Sequence, residues 1–338
     1  MDKKVLSIHT RKNLFITGML CFILISCTKT TDANLSQATP SPTLPPPPTS
    51  TPALPTQTSS PTIEVIAPGS IKTSSIDGME MVFIPGGEFI MGWTGLDATV
   101  SNGPGPTADF MEFPVTVDDF WIDKYEVTNA QYNLCVEAEK CEPYHQNNLT
   151  PYGLAYFTDP KYDNYPVINV SWYMARDYCT WAGRRLPTEA EWERAARNDD
   201  SRKYPWGNQP YDDHLANICD KDCPPSKKGV QGNPNFDDGF SGPAPVGSYP
   251  EGASPYGVMD MAGNVWEWTS SAADPYPYQA NDGRESQYDI EYGSKWPERI
   301  LRGGTWNDGY AYIRSSFRYR AVATYWNNNM GFRCAMDK

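Results

Sequence analysis

Arg302-Gly303-Gly304-Thr305-Trp306, Arg314-Ser315-Ser316-Phe317-Arg318-Tyr319-Arg320 and Gly331-Phe332-Arg333-Cys334 close the chain, and their reading decides the fold. From Arg197 to the end, Gly, Pro, Asn and Asp recur between short aromatic pieces, the pattern of a loop-dominated fold with short strands. Loops need large side chains to pin them, so Trp266, Trp268 and Trp306 read first as core. No cysteine stands between Cys223 and Cys334, which bears on function below.

Upstream the helical signals are local and few. Thr188-x-x-Glu191 is a capping box and predicts a helix through Arg197. Thr128-x-x-Gln131 is another, starting a helix near Asn129 that carries Cys135. Ser171 can cap a helix running to about Trp181, after a short apolar lead-in from Pro166 to Val170. Met79 to Met91 reads as a strand, a turn at Pro85-Gly86-Gly87 and a second strand, and Phe113 to Asp123 alternates as one further strand.

Before this globular stretch, 71–338, lie two segments of other character. In 1–26, Lys3, Lys4, Arg11 and Lys12 precede an apolar run, Leu14 to Ser26, too short to span a bilayer comfortably. The run ends at Cys27, as in a bacterial lipoprotein signal whose cysteine is lipidated and becomes the new N-terminus. Residues 27–70 are crowded with Pro, Thr and Ser and carry no charge between Asp32 and Glu64. Such a segment cannot bury enough apolar surface to fold and acts as an extended tether. The expectation is a lipid-anchored, extracytoplasmic protein of a bacterial cell envelope, with a single domain held off the membrane and monomeric.

The 41 acidic and 28 basic residues give a net charge of −13. Nucleic-acid binding is excluded as an expectation, because phosphate neutralisation needs clustered Lys and Arg. Of eight cysteines, Cys21 falls in the signal and Cys27 is the lipid site, leaving an even six. Cys135/Cys141 and Cys219/Cys223 are close enough in sequence for local bridges, which fits an oxidising compartment. Only His145 and His214 stand beyond the signal, too few for a His-rich zinc or iron site.

Taken in order, the motifs resemble one family. They are Val82-Phe83-Ile84-Pro85-Gly86-Gly87, Lys124-Tyr125-Glu126-Val127-Thr128-Asn129, Gly183-Arg184-Arg185-Leu186-Pro187-Thr188-Glu189-Ala190-Glu191-Trp192-Glu193, Tyr204-Pro205-Trp206-Gly207-Asn208, Met261-Ala262-Gly263-Asn264-Val265-Trp266-Glu267-Trp268 and the closing series. From Gly78 to Met336 the chain is similar to the formylglycine-generating enzymes, or sulfatase-modifying factors. The resemblance implies an α+β fold, a variant of the C-type-lectin fold with few helices and much irregular structure. It also joins Cys179 to Cys334, the two cysteines that the local pairs leave over. A bridge across so long a loop contributes about 4–5 kcal/mol on the chain-entropy account.

Two structural calcium sites come with the resemblance. One matches Asn217, Ile218 through its carbonyl, Asp238 and Phe240 through its carbonyl. The other, on which the expectation leans more, matches Asp260, Met261, Gly263, Val265 and Glu267. Carboxylates on glycine-bearing loops that turn carbonyls inward suit calcium, which takes six to eight hard oxygens.

The family's reaction is the oxidation of a substrate cysteine, performed in its copper-dependent members by two thiolates that bind Cu(I), a soft ion. Those two positions fall at Ala311 and Ser316. Neither side chain can hold Cu(I) or form a mixed disulfide, so copper is not expected. What remains there is a candidate pocket of Trp266, Trp306, Asn307, Asp308, Tyr312, Arg314, Ser316 and Arg318. Aromatic and Arg side chains together suit binding of a peptide, protein, glycan or small molecule. Equally, Arg314 and Arg318 read as structural arginines facing core carboxylates, with Arg320 and Arg333 leaning further that way. Two functional classes follow: a binding module, and an enzyme with different or residual oxidase chemistry.

Overall fold

The architecture follows from three small sheets and the helices between them. A computed structural model describes residues 66–93, 111–146, 150–223, 234–285 and 297–338. The signal, Cys27 and almost all of the tether lie outside these residues. Within them the chain is already paired before Ile71, as the Gly69 N–H donates to the Phe83 carbonyl at 2.9 Å and the Phe83 N–H to the Ser70 carbonyl at 2.8 Å.

The first sheet has β1 (Ile71–Thr73), β2 (Glu80–Ile84), β5 (Phe120–Asp123) and β10 (Ala335–Asp337) in the order β1-β2-β5-β10, every pair antiparallel. It therefore joins the two ends of the described domain. The second is the antiparallel pair β3 (Gly87–Gly92) and β4 (Glu112–Val117), with Phe89 opposite Val115. The third runs β8 (Tyr319–Val322), β7 (Glu298–Arg302), β6 (Trp266–Ala272), β9 (Met330–Gly331), with β6 and β9 parallel.

The two strands read in Met79 to Met91 are present, and one strand expectation, Phe113 to Asp123, is corrected. The strands on either side of Pro85-Gly86 do not pair with each other: β2 belongs to the first sheet and β3 to the second. Phe113 to Asp123 is two strands, β4 and β5, broken at Asp118-Asp119. Both breaks have one cause, since the two chain segments change sheet side by side. The Gly86 N–H donates to Asp119 Oδ1 at 2.7 Å, and a Cβ on Gly86 would lie 2.7 Å from the Val117 carbonyl oxygen. Only glycine permits that approach.

The helices start where the boxes place them. α1 (Asn129–Glu137) and α4 (Glu189–Arg197) each carry a complete capping box, at Thr128/Gln131 and Thr188/Glu191. α3 (Trp172–Trp181) is capped by the Ser171 hydroxyl. A short helix, α2 (Ala155–Thr158), was not expected. It has no side-chain cap and is only four residues long, so it leaves no helical period in the sequence. The lead-in 166–170 is not a strand; it contributes one bridge, Pro166 to Thr128. Beyond Arg197, the helical structure among the described residues is a 3-10 turn at Pro250–Gly252.

The main core gathers α1, α3 and the inner face of the third sheet. Tyr132 stacks on Tyr178 at 5.7 Å, and both meet the Phe332 ring edge-on. Trp172 is fully buried, donates to the Thr269 carbonyl at 2.7 Å and lies under the Arg299 guanidinium at 4.1 Å. The sulfurs of Cys179 and Cys334 are bonded within this core, closing a separation of 155 residues. Cys135–Cys141 and Cys219–Cys223 form the two local bridges.

Candidate functional site

Long-range packing converts four stretches into one region. The stretch 217–223, the 236–240 turn, the 260–267 loop and the 302–319 segment meet there. The Asn264 N–H donates to the Asn217 carbonyl, the Trp306 N–H to the Asn264 carbonyl and the Cys219 N–H to the Asp308 carbonyl, at 2.8–2.9 Å. Gly263 makes the closest approach: its φ is +79°, and a Cβ there would fall 2.2 Å from the Asn217 carbonyl oxygen.

In the first candidate metal centre, Asn217 is 1% exposed and its amide nitrogen donates to the Gly242 carbonyl and to Asn264 Oδ1. Its carbonyl oxygen, Oδ1, is buried without a hydrogen-bond partner. A buried acceptor left unpaired is costly unless something else satisfies it. Asp238 is buried beside it, with Oδ2 taking the Ile218 N–H at 2.9 Å and Oδ1 the Phe240 N–H at 3.0 Å. Burial lifts this carboxyl from its ordinary range to about 7, against the pull of the two N–H donors. An orphaned amide oxygen and a desolvated carboxylate fit a hard cation such as calcium.

The second candidate centre is built on charge. Asp260, at φ +57°, takes the Gly247 N–H at 2.7 Å. Glu267 is fully buried and takes three donors, Arg333 Nε at 2.6 Å and Trp192 Nε1 at 2.7 Å on Oε2 and Arg333 Nη2 at 2.7 Å on Oε1. Sequence reading missed a third carboxylate, Glu126, which accepts from Asn264 Nδ2 at 2.6 Å and from the Val265 N–H at 3.1 Å. Burial first, then Asp260 and Glu267, push Glu126 well above the usual carboxylate range. Burial likewise raises Asp260 to about 6. Three buried carboxylates here face the single guanidinium of Arg333, a deficit that a divalent cation would correct. The signal available in sequence was an acid inside Tyr125-Glu126-Val127, a motif read only for its family resemblance.

The candidate pocket is more closed than its sequence suggested. Trp266, Trp306, Asn307, Arg314 and Ser316 are buried, and Asp308, Tyr312 and Arg318 are half-buried. Trp266 donates to Asp308 Oδ2 at 2.8 Å and stacks on Tyr319 at 5.3 Å, with Phe317 tilted beside it. Tyr312 meets Phe317 edge-on at 5.1 Å, and the Arg314 guanidinium lies 5.5 Å from the same ring. Asn307 Oδ1 accepts from Asn329 Nδ2 at 3.2 Å. The positions matched to the oxidase thiols, Ala311 and Ser316, are each 2% exposed.

Arg318 points elsewhere. It donates to Glu189 Oε2 at 2.9 Å and to the Asp274 carbonyl at 3.0 Å, and lies over the Tyr276 ring at 4.1 Å. Glu189, beneath it, is fully buried; Arg318 and Arg302 hold its carboxyl below the ordinary range against desolvation. Arg318 is thus a packing arginine, as is Arg333 on Glu267. Arg320 pairs at the surface with Glu298 at 3.3 Å, where an ion pair contributes little.

Such an arrangement of irregular segments over three small sheets, with buried acidic loops, defines an α+β domain of the C-type-lectin-like class. Residues 68–338 match the sulfatase-modifying factor enzyme 1-like domain. The formylglycine-generating enzyme of Mus musculus is 35% identical over 302 residues, covering 76% of this chain and 75% of that protein. The inactive C-alpha-formylglycine-generating enzyme 2 of Bos taurus is 33% identical over 298 residues, covering 76% and 88%. The solved structure of PvdO from Pseudomonas aeruginosa superposes with a TM-score of 0.60, covering 81% of this chain and 100% of that one; its 24% identity speaks to the fold alone. This chain belongs to the sulfatase-modifying factor family.

Proposed function

We propose that this protein is a lipid-anchored, extracytoplasmic binding module built on a formylglycine-generating-enzyme-like domain. The observation that carries the reading is the state of its thiols. The positions that the resemblance matches to the oxidase thiols are the buried Ala311 and Ser316, and all six cysteines of the domain are bonded in pairs. No thiolate is left to bind Cu(I) or to join a substrate cysteine. The chain is about as similar to a relative named inactive as to the named enzyme, so family membership by itself does not decide for oxidase activity. Anchorage at Cys27, the tether to about residue 70 and a monomeric state belong to this proposal. So do two structural calcium ions, one at Asn217, Ile218, Asp238 and Phe240, the other at Asp260, Met261, Gly263, Val265 and Glu267. The bound partner is a peptide, protein or glycan at the surface bearing Asp308 and Tyr312.

The test uses the full-length protein in detergent, supplied with copper and calcium and incubated with a cysteine-containing sulfatase-motif peptide. Mass spectrometry is expected to find the peptide unchanged. An aldehyde product would overturn the reading. A second reading, an enzyme of other chemistry, draws on the half-buried Asp308 carboxylate held by Trp266. Turnover of any substrate that stops with Asp308→Asn would favour it.

A further inference from the structure

We infer that the five-residue ring closed by Cys219–Cys223 positions the first calcium site, so that calcium affinity depends on this bridge. The inference rests on the proposed calcium at Asn217, Ile218, Asp238 and Phe240.

The ring begins directly after Ile218, whose carbonyl is one ligand, and its members hold the turn that supplies the others. Asp220 Oδ2 accepts the Asp238 N–H at 2.8 Å, and Asp220 Oδ1 accepts the Asp222 N–H at 2.8 Å. The Lys221 N–H donates to the Phe236 carbonyl at 3.3 Å, and Lys221 Nζ pairs with Asp237 Oδ2 at 2.7 Å. Within the ring, the Cys223 N–H donates to the Asp220 carbonyl at 3.2 Å. On its other side the Cys219 N–H fastens it to the Asp308 carbonyl at 2.8 Å. Two residues before the ring, Asn217 Oδ1 is buried without a hydrogen-bond partner.

The physical reason is conformational entropy. Fixing each backbone residue of an open segment costs conformational entropy. A ring of five residues has most of that freedom removed covalently before any ion arrives. Open the ring, and ion binding must itself order Asp220 against Asp238 and Ile218 against the turn. Outer-shell partners of this kind typically change metal affinity by about 10–100-fold.

Calcium titration calorimetry on the full-length protein in detergent tests this. Asp238→Asn identifies which binding phase is the first site. The Cys219→Ser/Cys223→Ser variant is expected to weaken that phase by about tenfold or more, while Cys135→Ser/Cys141→Ser leaves it unchanged. Asp220→Ala, which keeps the bridge, is expected to weaken it as well and decides the matter if the ring-opened variant does not fold. Melting in chelator separates positioning from general destabilisation: Asp220→Ala should reduce the increment that calcium adds more than the calcium-free melting temperature. Unchanged affinity in a folded Cys219→Ser/Cys223→Ser variant, or in Asp220→Ala should that variant not fold, would overturn the inference and leave the calcium reading intact. No calcium binding by the parent protein would overturn both.

Discussion

Asp77 and Asp123 share one guanidinium, that of Arg184, and at the scale of single residues this sets a pH dependence. Arg184 Nη1 donates to Asp123 Oδ1 at 2.7 Å while its Nη2 binds Asp77, which also accepts from the Tyr178 hydroxyl at 2.7 Å. All three charged side chains are buried. One positive charge cannot balance two negative ones in a desolvated site. Asp77 is held below its ordinary range by Arg184, Ser74, Tyr178 and the Met79 N–H in spite of burial. Asp123 is fully buried and pushed up to about 7, against Arg184, the Cys334 N–H and the more distant Arg333. The folded protein therefore holds a proton here that the unfolded chain, with an ordinary carboxyl, releases near pH 4. Between about pH 4 and 7 the folded state binds more protons, so this group's contribution to stability falls as pH rises and is level above that window. Urea unfolding at pH 5 and 8 should show the loss. Asp123→Asn should flatten that part of the slope while lowering stability at pH 5.

At the scale of elements, α4 shows how a local signal becomes a tertiary device. Its box is complete, with Glu191 N–H to Thr188 Oγ1 at 3.0 Å and Thr188 N–H to Glu191 Oε2 at 2.8 Å. Between these ends, every residue from Glu189 to Arg197 is buried, a helix wrapped by other elements on all faces. Trp192 reaches Glu267, Glu189 reaches Arg318, and Glu193 pairs with Arg302 and with Arg197 at 2.8 Å. Thr188→Ala removes one reciprocal bond of the cap and should cost about 1 kcal/mol, read as a lower urea midpoint with an unchanged slope.

For the whole molecule, the Cys179–Cys334 bridge ties α3 to the residue before β10, across 155 positions. The loop-rich half of the chain, after Arg197, lies within that span. With so little regular structure there, ordering it by packing alone is entropically demanding. Replacing both cysteines by serine should lower stability by about 2–5 kcal/mol. Calorimetry of the parent and the Cys179→Ser/Cys334→Ser variant would measure it, and an unchanged melting temperature would show that packing suffices.

By itself the sequence determined the family, the starts of three helices and the loop-dominated second half. Capping boxes act between residues three apart, and the family motifs are contiguous, so both are legible without knowing the fold. The pairing of strands was decided only in three dimensions. β2 and β3 stand two residues apart yet enter different sheets, because Asp119 crosses beside Gly86 from a distance of 33 positions. The same holds at the site. Glu126 lies about 140 residues before Glu267, and only folding places both beside Arg333. Arg318 left the candidate pocket because Glu189, 129 residues earlier, is a buried acid that needs its charge. Burial in the tertiary structure decides which charges must be paired, and spacing along the chain carries no record of it.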